Sequence, residues 1–320
     1  MLSLRLLLSL MVLLWFVTAG IAQTSRATSA ASYLERGNQW FAKGEVDRAI
    51  ADYDLAIASD PNSASAYSNR GTARCRKGDY DNALSDFNHA LQLDPRNAAA
   101  WNDRGALHYL KGNWDHTISD CSRAIELNPR LAKAYGNRGL GRMEKKDLTG
   151  ALSDFDRALK LDAKLATTWS DRGAVKYQMG DFADAIADHT QALKLQPDFA
   201  EAYGDRGAAR HANGDANGAV ADYARAIELK PALSLTYFNR ALIWRERGEW
   251  AKAIADYNQV LALDAHFTDA YCQRGLVRIR QGDEAAAQRD FRQCLTLNPN
   301  LKASLEQRIR TERGRIAVKK

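Results

Sequence analysis

Cysteine and proline are scarce in this chain, and both are distributed in an informative way. The 320 residues include only four cysteines and six prolines. No two cysteines form a Cys-x-x-Cys pair, and a small protein held together by disulfides would contain more of them. The prolines do not form a proline-rich linker, because all six share one register of a regular spacing: Pro61, Pro95, Pro129, Pro197, Pro231 and Pro299.

Catalytic and metal-binding signatures are also missing. The chain has no His-Glu-x-x-His, no Gly-x-Ser-x-Gly, no phosphate-binding loop and no calcium loop. His108, His116 and Cys121 are close in sequence and could meet across two helices, but the preferred interpretation is substitution at packing positions. His189 stands where an aromatic residue usually stands, which favours the same interpretation. The sequence therefore predicts no enzyme, no cofactor and no metal site.

Positive charge is in excess overall but not along most of the chain. The net charge is +6, yet Arg5 and the segment 302–320 account for all of it. Residues 6–301 are neutral in sum, and a neutral body does not form the basic stripe that follows a nucleic-acid backbone. We therefore predict no nucleic-acid partner.

Only one long hydrophobic run is present, at the N-terminus. Arg5 precedes an apolar run from Leu6 to Val17, and Gly20 and Ala22 are the small residues that a signal peptidase reads. Residues 1–22 are predicted to be an export signal cleaved after Ala22. The alternative is an uncleaved membrane anchor, since residues 6–22 are just long enough to span a bilayer. Either alternative places the rest of the chain outside the cytoplasm, as a periplasmic, secreted or membrane-anchored protein.

An internal repeat of 34 residues dominates what remains. An arginine recurs eight times without slippage, preceded three residues earlier by an aromatic residue and followed by glycine in seven cases. A fixed period of this length indicates a stack of supersecondary units. The units run 30–63, 64–97, 98–131, 132–165, 166–199, 200–233, 234–267 and 268–301, after a short polar linker at 23–29.

Each unit is predicted to be a pair of helices. In the second unit, helix A is expected over 66–77 and helix B over 81–93, joined by a turn at Gly78 with Asp79 as a helix cap. Ala83, Phe87 and Leu91 fall on one face of helix B. Asp94-Pro95 ends it, because proline cannot continue a helix.

This pattern resembles the tetratricopeptide repeat, in which an aromatic residue, a small residue, a Gly turn, alanines and a final proline recur in phase. The resemblance implies an all-α, right-handed superhelical α-solenoid of eight helix-turn-helix repeats, with a groove that binds peptides. Residues 302–320 would supply a basic capping helix and tail, with a ninth helix A at 302–313 ended by Gly314. Such a capped stack is expected to be monomeric.

One position departs from the family pattern. Position 7 of the repeat usually holds Leu in the family, and here it always holds Arg, while position 23 always holds Asp. We hypothesise a ladder of ion pairs in which each Arg contacts an Asp of its own or the preceding repeat. The rival interpretation is an arginine array for anionic ligands.

The resemblance implies that helix A positions 2, 5, 6, 9, 12 and 13 line the groove. Asparagines there can hydrogen-bond to a peptide backbone, aromatics can contact apolar side chains, and carboxylates favour a cationic partner. Some position-12 side chains could instead complete packing between helices. The predicted binding residues are Asn38, Phe41, Asn69, Asp103, Tyr109, Asn137, Asp171, Tyr177, Asp205 and Asn239.

The family's carboxylate clamp for chaperone tails is not expected. Asn38 and Asn69 match it, whereas Leu34, Ala99 and Asp103 stand where cations are required. The sequence therefore favours an exported scaffold that binds a protein or peptide of unknown identity. The alternative is an envelope-anchored assembly factor that uses its basic tail on anionic lipid or polymer.

Overall fold

The computed structural model describes residues 30–317, with side chains up to residue 315. The predicted signal at 1–22, the linker at 23–29 and the end of the tail lie outside the described residues. The chain divides after Asp162 into two compact units. Unit 1 contains eight helices within residues 30–162: α1 (30–42), α2 (Val46–Ser59), α3 (Ala64–Lys77), α4 (Tyr80–Leu93), α5 (Ala98–Leu110), α6 (Trp114–Leu127), α7 (Ala132–Glu144) and α8 (Leu148–Leu161).

Unit 2 continues the same alternation of helices. It contains α9 (Ala166–Met179), α10 (Phe182–Leu195), α11 (Ala200–Ala212), α12 (Ala216–Leu229), α13 (Ser234–Glu246), α14 (Trp250–Leu263), α15 (Thr268–Gln281), α16 (Glu284–Leu297), a 3-10 turn (Pro299–Leu301) and α17 (Lys302–Ala317). Within residues 30–317 there is no β-strand. No helix in that range is both long enough and apolar enough to cross a membrane.

Each unit is a solenoid of helix pairs, as predicted. Within a repeat, helix A packs against its own helix B, and helix B then packs against the next helix A, as α3 does with α4 and α4 with α5. Helices α3 and α4 begin one or two residues before the predicted starts. Contacts are thus made almost entirely between neighbours in sequence, which is the defining property of a repeat stack.

The turn between α3 and α4 confirms one prediction and corrects another. Gly78 has a φ of 83°, the left-handed conformation that ends a helix at little cost for glycine. Asp79, however, does not cap α4, because its carboxylate accepts hydrogen bonds from the Asn82 side chain. A side chain at the equivalent position does cap its helix in later repeats, where Asp147 accepts from the Gly150 backbone N–H.

Glycine at position 8 lets the two helices of a repeat approach closely. A Cβ added to Gly71 would lie 3.0 Å from the Phe87 ring, and one added to Gly139 would lie 2.7 Å from the Phe155 ring. Both rings are buried in the contact. The small residue in helix A is therefore matched to the aromatic residue in helix B.

The hypothesised ladder of ion pairs is present, and each Arg pairs with the Asp of its own repeat. The Nε and Nη2 atoms of the arginine donate to the two carboxylate oxygens at 2.6–3.0 Å. The aspartates are buried. The pairs are Arg36–Asp52, Arg70–Asp86, Arg104–Asp120, Arg138–Asp154, Arg172–Asp188, Arg206–Asp222, Arg240–Asp256 and Arg274–Asp290.

The same arginines also join neighbouring repeats. Nη1 of Arg70 donates to Asp54 at 2.6 Å, and Nη1 of Arg104 donates to Asn88 at 2.7 Å, both in the preceding helix B. The guanidinium also lies over the aromatic residue three positions earlier, at 4.6–5.7 Å from the ring centre. The aromatic-x-x-Arg motif is therefore structural, and the rival interpretation as an anion-binding array is not supported at these positions.

Helix α17 covers one end of unit 2. Leu305 is buried in a cluster with Leu276, Ile279 and Phe291, and Ile309 packs against it. The prediction that Gly314 ends this helix is wrong, since α17 runs on through Ala317. A single glycine costs a helix only about 1 kcal/mol, so it does not end one by itself.

The protein contains a disulfide that its cysteine spacing does not predict. Cys272 in α15 and Cys294 in α16 are bonded, with their Cα atoms 5.7 Å apart. Both are buried, as is Cys121, and the burial of Cys121 agrees with its interpretation as a substitution at a packing position. Cys75 and Cys121 are free thiols.

Candidate binding surface

The first helices of the repeats carry all ten predicted binding residues. These are α1, α3, α5 and α7 in unit 1 and α9, α11 and α13 in unit 2. We call the surface formed by these residues in each unit its A-helix face. Each unit is described separately below.

The predicted asparagines of unit 1 bind to the protein itself. Asn69 Nδ2 donates to Asn38 Oδ1 at 2.8 Å, and the buried Tyr53 hydroxyl donates to the same oxygen at 2.9 Å. Asn137 Nδ2 donates to Asn102 Oδ1 at 2.9 Å. These amides therefore link one helix A to the next, and a peptide would find fewer free groups here than the sequence indicates.

Asp103 is the carboxylate at the centre of the unit 1 face. It accepts from Thr72 Oγ1 at 3.3 Å and from Asn102 Nδ2 at 3.0 Å. Burial nevertheless raises its pKa above the ordinary value. The thiol of Cys75 is subject to the same conditions, since burial and the Asp103 charge raise its pKa to about 11.

The aromatic residues at position 12 are partly used in packing. The Tyr109 ring lies 5.2 Å from Trp114, and the Tyr177 ring lies 5.4 Å from Phe182. Phe41 is half-buried, with the Arg76 guanidinium over its ring at 4.9 Å. Of these, Tyr177 keeps 38% of its surface exposed, so it can serve both packing and contact with a partner.

Unit 2 contains a cavity on its A-helix face. It has a volume of about 590 Å³, and three predicted residues line it, Tyr177, Asp205 and Asn239. Glu201 and Leu235, both at position 2 of their repeats, line it too, together with His189. Position 2 is among the groove positions that the family resemblance implies, but Glu201 and Leu235 are not among the ten predicted binding residues. We call this space the acidic cavity.

Two carboxylates beside the acidic cavity are held in an unfavourable environment for their charge. Burial and the neighbouring charge of Asp205 raise the pKa of Asp171 to about 7. Burial and the charge of Glu201 raise the pKa of Asp205 to about 6. Water reaches Asp205 from the cavity side, which moderates the effect there, whereas Asp171 is half-buried.

Neither carboxylate has a cation to offset its charge. Among residues 30–317, no side chain forms an ion pair or hydrogen bond with Asp171 or Asp205. Glu201 differs, because Lys230 pairs with it at 2.6 Å. The contrast with the ladder is clear, since all eight ladder aspartates have an arginine. The arrangement can accept a positively charged group supplied from outside the chain.

His189 adds an unusual polar atom to this cavity. It fills the position of a buried aromatic ring, and its Nδ1 lies 3.1 Å from the Ser170 hydroxyl. Its Nε2 is buried and has no hydrogen-bond partner within the described part of the chain. Burial lowers the pKa of His189 to about 4, so the ring is neutral at physiological pH. The His189 ring packs against Gly173, just as the Phe87 ring packs against Gly71. This agrees with the interpretation that His189 replaces an aromatic residue at a packing position.

The other histidine group does not form a metal site. The rings of His108 and His116 lie 4.9 Å apart. No group of three or more His, Cys, Asp or Glu side chains in the described residues could hold a metal ion.

These features define a helical-repeat protein with extended faces made by its first helices. Family profiles described as TPR repeat match residues 37–78, 71–112, 173–214 and 242–282. Profiles described as tetratricopeptide repeat match 98–131, 200–233 and 268–301. The chain belongs to the tetratricopeptide repeat family, whose repeat fold is a scaffold that generally binds protein or peptide partners.

Solved structures share the fold at low sequence identity. The Cut9–Hcn1 hetero-tetramer of the APC/C matches with a TM-score of 0.68 and 16% identity, over 88% of this chain and 55% of that one. PilF of Pseudomonas aeruginosa matches at 0.59 and 20%, over 67% and 96%. A tetratricopeptide repeat protein of Parabacteroides merdae matches at 0.58 and 18%, over 82% and 99%.

No match was found among curated protein sequences. At these identities the solved structures indicate the fold alone. The binding preference of this chain must therefore be argued from its own side chains.

Proposed function

We propose that this protein is a scaffold outside the cytoplasm that binds a basic segment of a partner protein on the A-helix face of unit 2. The observation that carries the proposal is the pair Asp171 and Asp205. Asp171 is half-buried, Asp205 lines the cavity, and neither carboxylate has a cation in the described chain. A Lys or Arg side chain placed between them would replace their mutual repulsion with attraction.

The walls of the acidic cavity suit a peptide. Tyr177 and Leu235 offer exposed apolar surface, and the Asn239 amide can hydrogen-bond to a peptide backbone. A cavity of about 590 Å³ admits a few side chains of an extended segment. On the unit 1 face the amides bond to one another, so fewer of its polar groups are available to a peptide.

A capture experiment with matched variants tests the proposed surface. Immobilised 23–320 would be incubated with an envelope extract beside the variants Asp171→Asn/Asp205→Asn and Asp184→Asn, and bound proteins would be quantified by mass spectrometry. Asp184 is exposed on α10 and serves as the control. We expect at least one protein that the wild type and the control bind alike and that the double variant loses at least tenfold.

Two further outcomes of the capture experiment test the proposed acidic surface. A captured protein that binds the double variant as well as the wild type would refute the acidic surface. A genuine partner should also bind more tightly as the pH rises from 5 to 8, because Asp171 and Asp205 ionise in that range.

Location outside the cytoplasm rests on two features. Residues 1–22 have the composition of an export signal, and a disulfide such as Cys272–Cys294 persists in oxidising compartments. A fusion of alkaline phosphatase after residue 320 should be active only with residues 1–22 present. Mass spectrometry of the product would then distinguish cleavage after Ala22 from a retained anchor.

A second candidate function uses the basic helix α17. Arg310, Arg313 and Arg315 are exposed on it, and they could contact anionic lipid or polymer. The salt dependence of binding separates this candidate from the first, because contacts through exposed charges weaken steeply as salt is added.

A further inference from the structure

A second cavity in unit 2 has the opposite charge. It has a volume of about 740 Å³ and lies between the C-terminal parts of α13 and α15 and the side of α17. Five arginines and two glutamates line it, together with Trp250 as an aromatic wall: Arg245, Arg247, Arg280, Arg308, Arg315, Glu246 and Glu312. We call it the cationic cavity.

Most of these charges are already paired. Glu312 pairs with both Arg280 and Arg315. Glu246 lies 3.0 Å from His211, and Arg247 donates to Asn217. Each of these groups therefore has a partner within unit 2, although Asn217 is neutral and does not offset the charge of Arg247.

Arg245 and Arg308 lie near each other, and neither has a carboxylate partner among the described residues. Arg245 donates to the neutral side chain of Gln273. Arg308 makes no hydrogen bond or ion pair with any described residue. Burial and the charge of Arg245 lower the pKa of Arg308 below its ordinary value, although Asp269 and Glu312 partly oppose this. Two like charges thus approach each other in a half-buried position, which an anion between them would relieve.

Arg308 is unpaired because of its position in the repeat. It occupies position 7 of α17, where the eight preceding arginines each pair with an Asp sixteen residues later. Helix α17 does not turn at the usual register but continues to Ala317, so no helix B lies beside it in the described chain. The guanidinium is turned to the cavity instead.

A buried hydroxyl lies near the same two arginines. Tyr257 is fully buried, and its hydroxyl has no hydrogen-bond partner among residues 30–317. Burial raises its pKa, and the positive charges of Arg245 and Arg308 act in the opposite direction, which shows that both guanidiniums are near. Buried hydroxyls are normally satisfied, so an unpaired one beneath two guanidiniums leaves these cations without an acceptor from this side chain.

We propose that the cationic cavity binds a carboxylate of an acidic protein segment, with Arg245 and Arg308 as the two groups that hold it. Guanidinium groups recognise carboxylates by paired hydrogen bonds, as the ladder does throughout this chain. Trp250 provides a wall for an adjacent apolar side chain. A polyanion such as nucleic acid is disfavoured, because Glu246 and Glu312 would repel its neighbouring phosphates.

This inference does not depend on the acidic cavity. The two cavities are lined by different residues, although both use α13, through Asn239 and Arg245. Six residues of helix separate these two, about 9 Å along the axis. One partner could therefore present a basic and an acidic residue to the two cavities, but each can be tested alone.

Calorimetric titration with blocked peptides tests the cationic cavity. The probe is Ac-Gly-Glu-Leu-Glu-Gly-NH2, and its counterpart has Gln in place of both Glu. We expect the Glu peptide to bind the wild type and the Gln peptide not to bind. Arg245→Gln and Arg308→Gln should each lower the affinity for the Glu peptide at least tenfold, and Arg308→Lys should lower it less. Arg310→Gln is the matched control, because Arg310 is exposed on the same helix outside the cavity.

Thermal unfolding shows whether a loss of binding reflects a loss of fold. Arg308→Gln should keep or raise the melting temperature, since it removes the repulsion from Arg245, and the Glu peptide should stabilise the wild type but not this variant. The proposal is overturned if the Glu peptide binds Arg308→Gln as well as the wild type, or does not bind the wild type at millimolar concentration. Binding of inorganic phosphate through the same arginines, without binding of the Glu peptide, would also overturn it.

Discussion

The arginine at position 7 combines three contacts in one side chain. It neutralises a buried aspartate of its own repeat, it reaches the preceding helix B, and its flat face lies on the aromatic residue of its own helix. A buried ion pair adds little net stability, because both ions lose water. Its geometry nevertheless fixes how one helix must lie against the next, so the ladder sets the register of the stack.

Removing one arginine from the ladder should destabilise the protein. Arg138→Leu leaves the buried carboxylate of Asp154 with only Arg142, at 2.8 Å. Breaking a buried pair typically costs about 3–5 kcal/mol. We expect about 2–3 kcal/mol here, since Arg142 remains, measured as the free energy of unfolding in urea.

The control is an ion pair that is exposed. Arg123 pairs with Glu126 at 2.8 Å on the surface of α6, and Arg123→Leu should change the free energy of unfolding by less than about 1 kcal/mol. Equal stability of Arg138→Leu and the wild type would contradict the structural role of the ladder.

For Asp171 we predict the opposite effect of substitution, because this carboxylate has no cationic partner among the described residues. A pKa raised to about 7 means that between pH 4 and 7 the folded protein binds more protons at this group than the unfolded chain does. Stability therefore falls as the pH rises through this window. The cost is absent near pH 4 and fully present above pH 7.

Asp171→Asn should remove this cost. The shift from 3.8 to about 7 would correspond to about 4 kcal/mol at about 1.4 kcal/mol per unit, and solvent screening of this half-buried group reduces the value. We therefore expect the variant to be more stable than the wild type by about 1–2 kcal/mol at pH 8 and equal to it at pH 4. Urea unfolding at both pH values measures the difference. The exposed control Asp184→Asn should show no such change with pH, and an Asp171→Asn variant that is less stable at pH 8 would disprove the assignment.

At the residue scale, the sequence predicts which residue types face the surface but not how they interact. Asn38 and Asn69 were expected to offer hydrogen bonds to a peptide, and in the structure they bond to each other. Their repeat register places them side by side, which a single sequence shows only when neighbouring helices are compared. The raised pKa of Asp171 depends on surrounding atoms that no local pattern reveals.

At the element scale, the helix pair α15–α16 is joined covalently. Cys272 and Cys294 are 22 residues apart, at positions of helix A and helix B that face each other. They lie in different repeat registers, which is why a search for Cys-x-x-Cys or for shared registers misses them. The capping helix α17 packs on this same helix pair through Leu305. The disulfide therefore joins the two helices against which α17 packs.

Reduction of this disulfide should weaken the end of unit 2. Closing a loop of this length is worth about 3 kcal/mol in the chain-entropy model. We expect the free energy of unfolding to fall by about that amount when the wild type is reduced, as measured by urea unfolding with and without dithiothreitol. Cys75→Ala should respond like the wild type. A Cys272→Ala/Cys294→Ala variant should be insensitive to reductant, and a wild type insensitive to reductant would refute the prediction.

At the scale of the whole molecule, the fold follows from the repeat period and from the matching of a small residue in helix A to a large residue in helix B. The 34-residue spacing sets the helix pairs, and Gly71 opposite Phe87 sets their distance. The end of the stack does not obey the repeat, so Gly314 was assigned a role that the continuous helix α17 does not give it. Acidic and basic side chains also line separate cavities, and both cavities lie in unit 2.

Salt dependence should distinguish binding at the acidic cavity from binding by the exposed arginines of α17. Asp171 is half-buried and Asp205 lines a cavity, so both carboxylates are screened less than charges on an open surface. The affinity for a blocked lysine peptide should therefore fall less than about tenfold between roughly 50 and 200 mM salt. Binding to phosphatidylglycerol vesicles through several exposed cations should fall much more steeply, roughly a thousandfold if about six contacts are released.

Charge-neutral variants, rather than deletion of α17, are needed for this comparison, because Leu305 is 2% exposed and deletion would uncover the core of the last repeat. Arg310→Gln/Arg313→Gln/Arg315→Gln should abolish vesicle binding and leave binding of the lysine peptide unchanged. Asp171→Asn/Asp205→Asn should have the reverse effect. If the triple variant lost the lysine peptide while the double variant retained it, the surface that binds partners would lie on α17, and the acidic cavity would have no part in it.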